Sequence, residues 1–333
     1  MSNFENELIT IIVPVYQAEG FVGRCLQSIA NQEYSNFRVL MIDDCSKDRS
    51  KQICQSWADK DSRFELISLK KNGGIANARN IGLEHVNYSD SYIAFVDSDD
   101  YLHPQYFSYL HSLLKEYDAD FSWCGVHNTF EKEKLDFEEL PKEDNIYTLT
   151  GKQLLLREDL RIMYSMVWGK LFKSFLWKNI RFDTSYKYYE DGATTFKAIY
   201  NARKVVVTSK KLYNYYYSEN SSTRSEYNSK RIMDGIGTET DKIAFYKEKG
   251  EEELIEMAYV AYLNTLLKSY IRVRFEKYDK EMCQKIRSMY ISNYKRVLKN
   301  NSLKYTQRLK YIIYRFFPNA QHRYIKLKLR LIG

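Results

Sequence analysis

The chain has 333 residues, of which 44% are apolar and 28% charged, and its formal net charge is +8. This composition excludes an intrinsically disordered protein and allows a sizeable hydrophobic core. No stretch approaches the roughly 20 apolar residues that a membrane-spanning helix needs. The start of the chain is polar and unlike a signal peptide, and the five cysteines form no Cys-X-X-Cys pair. We therefore expect a cytoplasmic protein with reduced thiols.

The predicted elements alternate between strands and helices over residues 8–126. Strands are predicted at 8–15, 37–42, 64–69, 92–96 and 121–126, and helices at 21–29, 48–58, 75–86 and 104–117. Alternation at this spacing indicates an α/β fold, Rossmann-like, with a mostly parallel sheet and helices on both faces.

The pattern changes in the second half of the chain. A charged, irregular segment at 128–148 is followed by strand or helix patterns at 166–172, 190–200, 204–208 and 212–217. From residue 230 the pattern is helical almost to the end. We predict a first domain over residues 1–225 and a helical C-terminal region over residues 226–333, with the boundary near 220–228.

Ligands of parallel sheets bind at the carboxyl ends of the strands, so the residues that follow each strand are candidate site residues. Three short groups stand at these ends: Pro14-Val15-Tyr16, Asp43-Asp44, and Asn72 with the following glycines and Arg79. Carboxylates such as Asp43 and Asp44 could accept hydrogen bonds from a nucleoside, and Arg79 could meet a diphosphate. The alternatives are a turn or capping role for the aspartates and a surface ion pair for Arg79.

The fourth strand is followed by three carboxylates within four residues, in Asp97-Ser98-Asp99-Asp100. Such carboxylates repel one another unless they are solvated or neutralised by a cation. Oxygen ligands suit Mg²⁺ or Mn²⁺, and Mg²⁺ commonly binds substrate phosphates at the same time. The segment therefore predicts a metal site, with an ordinary loop as the alternative.

Together these segments resemble family-two glycosyltransferases, the large inverting family that uses nucleotide-sugars and has the GT-A fold. The matching stretches are IIVPVYQAEGFVGRCLQSIANQ, FRVLMIDDCSKD, NGGIANARNIGL, YIAFVDSDDYLHP, VWGKLFKSFLWKNIRF and YYEDGATTFKAIYNARKVVV. They occur in the order and spacing of the family and cover roughly residues 8–220. Among its members the chain is most similar to those of bacterial polysaccharide biosynthesis.

The resemblance implies a role for each candidate residue in binding the nucleotide-sugar. Pro14, Val15 and Tyr16 would border the nucleoside, and Asp44, with Asp43, would contact the base. Asn72 and Arg79 would face the nucleotide.

The resemblance also implies how the metal and the acceptor would be handled. Asp97 would contact the ribose beside Ser98, and Asp99 with Asp97 would hold Mn²⁺ or Mg²⁺. Asp191 would be the catalytic base, with Glu190 as the second candidate. The donor implied is a UDP-sugar and the acceptor a hydroxyl of a glycan, carried on a lipid in cell-surface polysaccharide synthesis such as that of a capsule.

Three aromatic side chains lie near the predicted base. Trp168, Tyr188 and Tyr189 could stack on an acceptor sugar ring, and the alternative for each is a place in the core. The carboxylates Glu190 and Asp191 also open a helical pattern, where they would favour the N-terminal end of a helix.

Two positions depart from the usual family pattern. Cys45 stands where the family usually has Gly or Asn, at a turn that favours positive φ, so we expect modest backbone strain there. Gly169 stands where many relatives have Asn.

The basic charge is concentrated at the C-terminal end. Residues 291–333 contain eleven Lys or Arg and no acidic residue, and the remainder has 40 basic and 43 acidic residues. Residues 295–330 combine these cations with Leu309, Ile312, Ile313, Phe316, Phe317, Ile325, Leu327 and Leu329. The pattern predicts a basic amphipathic helix on an anionic membrane, with a solvated helix as the alternative. We expect no nucleic-acid partner, because the rest of the chain is slightly acidic and has no reading motif.

Other protein classes fit the sequence less well. A dinucleotide-dependent dehydrogenase would carry G-X-G-X-X-G after the first strand, where this chain has Pro14-Val15-Tyr16-Gln17. A sugar nucleotidyltransferase would also need a glycine-rich loop there. A nucleotide-sugar-binding module remains the alternative to an enzyme. The pattern leaves the oligomeric state open.

Overall fold

The computed structural model describes residues 7–88, 91–130, 135, 137, 139–217, 228–276, 278–300 and 303–319. The chain divides into two compact units, residues 1–221 and 222–333. The stretch in which we predict the boundary, 220–228, lies almost wholly outside the described residues. The predicted limits of 1–225 and 226–333 therefore stay predictions.

The first unit is built around one mixed sheet. Over the described residues its strands are β1 (Ile9–Val15), β2 (Phe37–Asp43), β3 (Phe64–Ser68), β4 (Tyr92–Phe95), β5 (Tyr101–Leu102), β6 (Phe121–Thr129), β7 (Ile146–Leu149), β8 (Lys170–Lys173) and β9 (Val205–Tyr216). They lie in the order β3-β2-β1-β4-β8-β6-β9-β5, with β7 on β9.

The parallel part of the sheet is the half that the strand–helix alternation encodes. β1 pairs in parallel with β2 and with β4, and β2 with β3. β1 is buried along its whole length, as expected for a β-branched run covered on both faces. The α/β prediction is confirmed, while β8 joins β4 and β6 in antiparallel fashion and makes the rest of the sheet mixed.

Helices of the first unit cover both faces of the sheet. They are α1 (Val22–Ala30), α2 (Ser50–Lys60), α3 (Ile75–Glu84), α4 (Tyr106–Glu116), α5 (Gly151–Leu155), α6 (Arg161–Ser165) and α7 (Thr195–Tyr200). Apolar side chains of α1 and α4 share one core cluster with alternate residues of β1, including Ile11 and Val13. On the opposite face α3 packs so closely that a Cβ on Gly82 would lie 2.5 Å from Ile12 Cγ2.

Two boundaries differ from the sequence prediction in ways that matter for the site. The predicted strands at 204–208 and 212–217 form the single strand β9, whose polar middle residues are exposed beside a register shift in its pairing with β6. The helix expected from residue 190 is α7, which begins at Thr195. Glu190 and Asp191 therefore lie in the turn before that helix and outside its first turn.

The second unit is helical in its described residues. It contains α8 (Ser229–Lys249), α9 (Glu252–Phe275), α10 (Lys280–Leu298) and α11 (Tyr305–Phe316). The Asn228 side chain accepts a hydrogen bond from the Arg231 N–H and caps the start of α8, and Gly250, with φ of 69°, caps its C-terminal end. No helix in the described part of the chain is long and apolar enough to cross a membrane.

Candidate active site

The ends of β1, β2 and β4 meet at one edge of the sheet because the three strands are parallel neighbours. Val15 lies opposite Asp43, and the Asp44 N–H donates to the Val15 carbonyl at 2.8 Å. Pro14 and Val15 are buried within β1. Tyr16 is 47% exposed directly beyond them, so it is the residue of this group that a ligand can reach.

Asp44 joins two turns of the candidate nucleotide site. Its two carboxylate oxygens each accept a backbone N–H, one from Gly73 and one from Gly74, both at 2.7 Å. The Asn72 side chain in turn donates to the Asp44 carbonyl at 3.2 Å. The Asp44 carboxylate is buried, so the structure gives it a bracing role in addition to the base contact expected from the sequence.

Asp43 is the more weakly bonded member of the pair. It accepts a 3.2 Å hydrogen bond from the Ser46 N–H and is also buried. Hydrogen bonds to these two carboxylates therefore stabilise the turn that follows β2.

Arg79 ties the end of β4 to the turn at 190–191. Its guanidinium donates to the Asp97 carboxylate at 2.9 Å and to the Glu190 carboxylate at 2.6 Å, and its side chain is only 2% exposed. The two carboxylates hold the pKa of Arg79 above its ordinary value, although burial opposes this. The family resemblance predicts that Arg79 faces the nucleotide. In the structure its side chain is instead buried between two predicted site residues, Asp97 and Glu190.

Asp191 lies beside this network and is partly buried. Loss of hydration and the neighbouring charge of Glu190 raise its pKa to about 7, while Arg79 and the Gly192 N–H act in the opposite direction. A carboxylate with a pKa near neutrality suits proton transfer, since it can both accept and release a proton at ordinary pH. Glu190, the second predicted base, has its carboxylate engaged by Arg79.

The acidic segment after β4 separates into three environments. Asp97 is neutralised by Arg79, and the buried Asp100 accepts hydrogen bonds from the Tyr213 hydroxyl at 2.7 Å and the Tyr216 N–H at 2.8 Å. Asp99 is exposed to solvent. Loss of hydration near the surrounding protein atoms and the charge of Asp97 nevertheless raise the pKa of its carboxyl group to about 6. Ser98 is partly exposed between them. The repulsion expected among three carboxylates is thus relieved for two of them by the protein itself.

A divalent cation fits the remaining carboxylate. Among the residues that the structure describes, no group of three or more His, Cys, Asp or Glu side chains is placed to hold a metal ion. Mg²⁺ and Mn²⁺ sites need fewer protein ligands when one or two carboxylates act together with substrate phosphates and water. Asp99 is an accessible oxygen donor whose ionisation a cation would favour, so the chemistry of the donor set suits such an ion.

The three aromatic side chains proposed for acceptor contact differ in position. Acceptor contact by Trp168 is not what the structure shows, because this side chain is 6% exposed and lies in the core. It stacks on Tyr213 with ring centroids 4.7 Å apart and on Tyr215 at 5.4 Å. Tyr188 is partly buried. Tyr189 is 44% exposed directly before Glu190, with φ of 64°, which leaves it as the aromatic side chain best placed for a ligand.

Two buried cations support the site without a signal in the sequence. Arg24 of α1 donates to the Asp99 carbonyl at 2.7 Å and lies 4.5 Å from the Tyr101 ring centre. Lys170 is fully buried and its ammonium donates to three carbonyls in the segment 163–168. Burial lowers the pKa of Lys170 to about 7. The sequence does not distinguish a buried Lys or Arg from a solvated one, because most residues of these types are exposed and the partners that allow burial lie far away in the chain.

The two departures from the family pattern both lie in left-handed backbone. Cys45 has φ of 62°, which agrees with the strain expected there, and Gly169 has φ of 72°. Gly and Asn are the residues that most readily adopt this conformation. Gly169 in place of Asn is therefore a conservative choice for the backbone.

The architecture and the site define a Rossmann-like α/β protein with acidic and amide side chains gathered at the carboxyl ends of its parallel strands. A model of the family described as Glycosyl transferase family 2 matches residues 10–176. The chain belongs to this family, and the resemblance stated from its motifs is confirmed.

Individual relatives agree with the family assignment. The chain is 33% identical over 226 residues to the glycosyltransferase GlyA of Streptococcus pneumoniae, covering 66% of this chain but only 32% of GlyA. It is 29% identical over 249 residues to the uncharacterized glycosyltransferase EpsJ of Bacillus subtilis, covering 73% of this chain and 71% of EpsJ.

A solved structure confirms the GT-A fold. The structure of residues 1–349 of Staphylococcus aureus TarS in complex with UDP-GlcNAc superposes with a TM-score of 0.69 at 23% identity. The superposition covers 88% of this chain and 83% of the TarS chain.

Proposed function

We propose that this protein transfers a sugar from a UDP-sugar to a hydroxyl group of a glycan acceptor, with inversion at the anomeric carbon. One observation carries the proposal: the Arg79 guanidinium binds Asp97 and Glu190 at once. This ion pair holds the turn that contains Asp191 next to the aspartate segment after β4. The candidate base would thereby lie next to the candidate diphosphate site at this edge of the sheet.

The donor nucleotide would bind across the ends of β1, β2 and β4. Tyr16 offers an exposed ring beside the uracil, Asp43 and Asp44 shape the turn below it, and Asn72 borders the nucleotide. Asp97 and Ser98 would face the ribose. The TarS complex with UDP-GlcNAc supports a UDP-sugar donor.

Asp99 together with Asp97 would hold a divalent cation, Mn²⁺ or Mg²⁺. A divalent cation supplies compensation for the negative charge that develops on the departing diphosphate. Arg24 would keep Asp99 in place, because it binds the backbone carbonyl of that residue.

Asp191 would remove the proton from the acceptor hydroxyl as that oxygen attacks the anomeric carbon. A raised pKa makes it a stronger base than an ordinary aspartate at neutral pH, and Arg79 limits the rise so that the carboxylate still ionises. One-step attack from the face opposite the diphosphate inverts the configuration. Inversion of an α-linked donor gives a β-linked product, which is the product that the name of the relative TarS, a poly(ribitol-phosphate) β-N-acetylglucosaminyltransferase, describes.

The acceptor we propose is a lipid-linked glycan at the cytoplasmic face of the cell membrane, in cell-surface polysaccharide synthesis. The relative TarS is a poly(ribitol-phosphate) β-N-acetylglucosaminyltransferase, and its acceptor supports the polymeric part of this proposal. Tyr189, exposed beside Glu190, would contact the acceptor sugar, with the partly buried Tyr188 behind it.

The test measures release of UDP from UDP-sugars with and without Mn²⁺, in the presence of glycan acceptors. We expect acceptor-dependent release that needs the metal. Asp191→Asn should lower kcat by about 10²–10⁴-fold, the usual contribution of a general base, while calorimetry gives an unchanged Kd for UDP. Near-normal turnover of that variant would remove Asp191 from the role. UDP binding without any transfer would favour a binding module, and formation of a nucleotide-sugar would favour a nucleotidyltransferase.

A further inference from the structure

The outer face of α11 carries an unusual stripe of exposed apolar side chains. Five large apolar residues in this helix have exposed fractions between 38% and 78%, namely Tyr305, Leu309, Ile312, Ile313 and Phe316. Their spacing of i, i+4, i+7, i+8 and i+11 places all of them on one face of the helix. We call these five residues the apolar stripe.

The opposite face of α11 is the one that packs within the second unit. Tyr311 is 2% exposed, and its carbonyl accepts a 2.8 Å hydrogen bond from the Tyr290 hydroxyl of α10. The Arg315 carbonyl accepts a 3.0 Å hydrogen bond from Arg287. The helix is therefore anchored by its buried face, and the apolar stripe points outward as a fixed surface.

Cations border the apolar stripe and no anion lies near it in sequence. By helical spacing Lys304, Arg308 and Arg315 lie along one side of the stripe and Lys310 lies on the other. Lys304 is exposed, while Arg308 donates to the Asn300 carbonyl at 2.8 Å and Lys310 to the Asn264 side chain at 3.1 Å. The described segment 303–319 contains no Asp or Glu. A narrow apolar face between flanking cations is the arrangement found in helices that lie in the interface of an anionic membrane.

We propose that α11 is a membrane-docking helix that inserts the apolar stripe into a bilayer containing anionic phospholipid. The charge pattern argues against the two nearest alternatives. A second copy of the chain would bring an identical set of cations against the first. Residues 320–333 add four more Lys or Arg and no acidic residue, so they too would be repelled. An anionic bilayer can bury the apolar side chains among its acyl chains and attract the cations to its headgroups at the same time.

The proposal goes beyond the transfer reaction and does not depend on it. A protein that failed to transfer any sugar could still bind vesicles, and an active enzyme could fail to bind them. The predicted tail residues Ile325, Leu327 and Leu329 lie outside the described residues.

The experiment is flotation of the full-length protein with vesicles of phosphatidylcholine, with and without a minority of phosphatidylglycerol. We expect flotation with the anionic vesicles and its loss at high salt. The triple variant L309S/I312S/F316S should lower vesicle partitioning by roughly tenfold or more, since it removes most of the inserted apolar area. The matched control, I162S/F175S, removes two exposed apolar side chains of the first unit and should float like the wild type.

Each other outcome would overturn the proposal. A wild type that stays in the bottom fraction with anionic vesicles would show that the helix does not dock. Equal flotation of the wild type and the triple variant would assign binding to another segment. A dimer that becomes a monomer in the triple variant would make the stripe an interface between copies. The substituted positions are exposed, so we expect the triple variant to fold, and circular dichroism, which senses the helices of the second unit, verifies this.

Discussion

Arg79 is the residue on which the geometry of the candidate site depends. Its side chain is 2% exposed, while those of Asp97 and Glu190 are 22% and 10% exposed. Removing such a cation leaves two poorly hydrated carboxylates close together. A break of this kind is costly because the remaining charges keep their desolvation penalty without compensation.

We predict that Arg79→Met destabilises the protein by about 3–5 kcal/mol, the usual cost of removing one partner of a buried ion pair. Urea unfolding followed by tryptophan fluorescence gives the value. Adding Glu190→Gln to Arg79→Met should recover part of the loss, because the double variant no longer holds an uncompensated Glu190. A single variant within about 1 kcal/mol of the wild type would contradict the burial of this ion pair.

The pKa of Asp191 leads to a prediction for the pH dependence of transfer. A base must be deprotonated to act, so kcat/KM should rise with pH and level off above the pKa, which is about 7. Glu190→Gln should move this limb to lower pH, since the Glu190 charge raises the pKa of Asp191. The pH profiles of both proteins at constant ionic strength test the prediction. A limb that stays in place would show that Glu190 and Asp191 do not interact as the structure indicates.

At the scale of elements, the turn between Trp168 and β8 is a place where backbone conformation can be tested separately from side-chain packing. Gly169 has φ of 72°, and a Cβ built there meets no atom within 4 Å. Space is therefore available for a Cβ, and the left-handed backbone is the constraint on which residues fit this position.

We predict that Gly169→Asn is nearly neutral, whereas Gly169→Val destabilises the protein by about 1–2 kcal/mol more, since a β-branched residue strongly disfavours this conformation. The free energies of unfolding of the two variants give the comparison, and the asparagine variant is the control for adding a side chain. Equal losses would mean that the turn changes its backbone to accommodate either residue.

The elements that the sequence predicts well are those with a local pattern. The buried run of β1 and the apolar spacing of α1 depend on neighbouring residues, and the strand ends then bring Tyr16, Asp43 and Asp97 to one edge. The partners of Arg79 are different, because Glu190 is 111 positions away in the chain. Nothing local distinguishes Arg79 from a solvated arginine, so its position beneath the site could not be predicted from spacing.

The same limit explains Trp168 and the antiparallel part of the sheet. Trp168 lies beside a predicted site segment, but its stacking partners belong to β9, more than forty positions away. The place of β8 between β4 and β6 also depends on pairing over a long sequence separation. Long-range pairing of this kind is set by packing of the whole unit, which a local pattern does not contain.

At the scale of the whole molecule, the two compact units can be observed separately. All four tryptophans, Trp57, Trp123, Trp168 and Trp177, belong to the first unit, which also contains every residue of the candidate active site. Tryptophan fluorescence therefore follows the first unit alone. Circular dichroism also senses the long helices of the second unit, α8 to α10.

We predict that UDP-GlcNAc with Mn²⁺ raises the unfolding midpoint detected by tryptophan fluorescence more than UDP-GlcNAc with a chelator. A ligand at about 100 times its Kd adds about 2.7 kcal/mol to the stability of the folded form that binds it. Asp99→Asn should remove the Mn²⁺-dependent part of the shift and keep the part due to the nucleotide, because Asp44, Asn72 and the β2 end are unchanged. The stripe variant L309S/I312S/F316S, altered only in the second unit, should show the full shift. A Mn²⁺ increment that survives in Asp99→Asn would place the metal away from the aspartate segment, and the charge-compensation step would then have to be assigned to other residues.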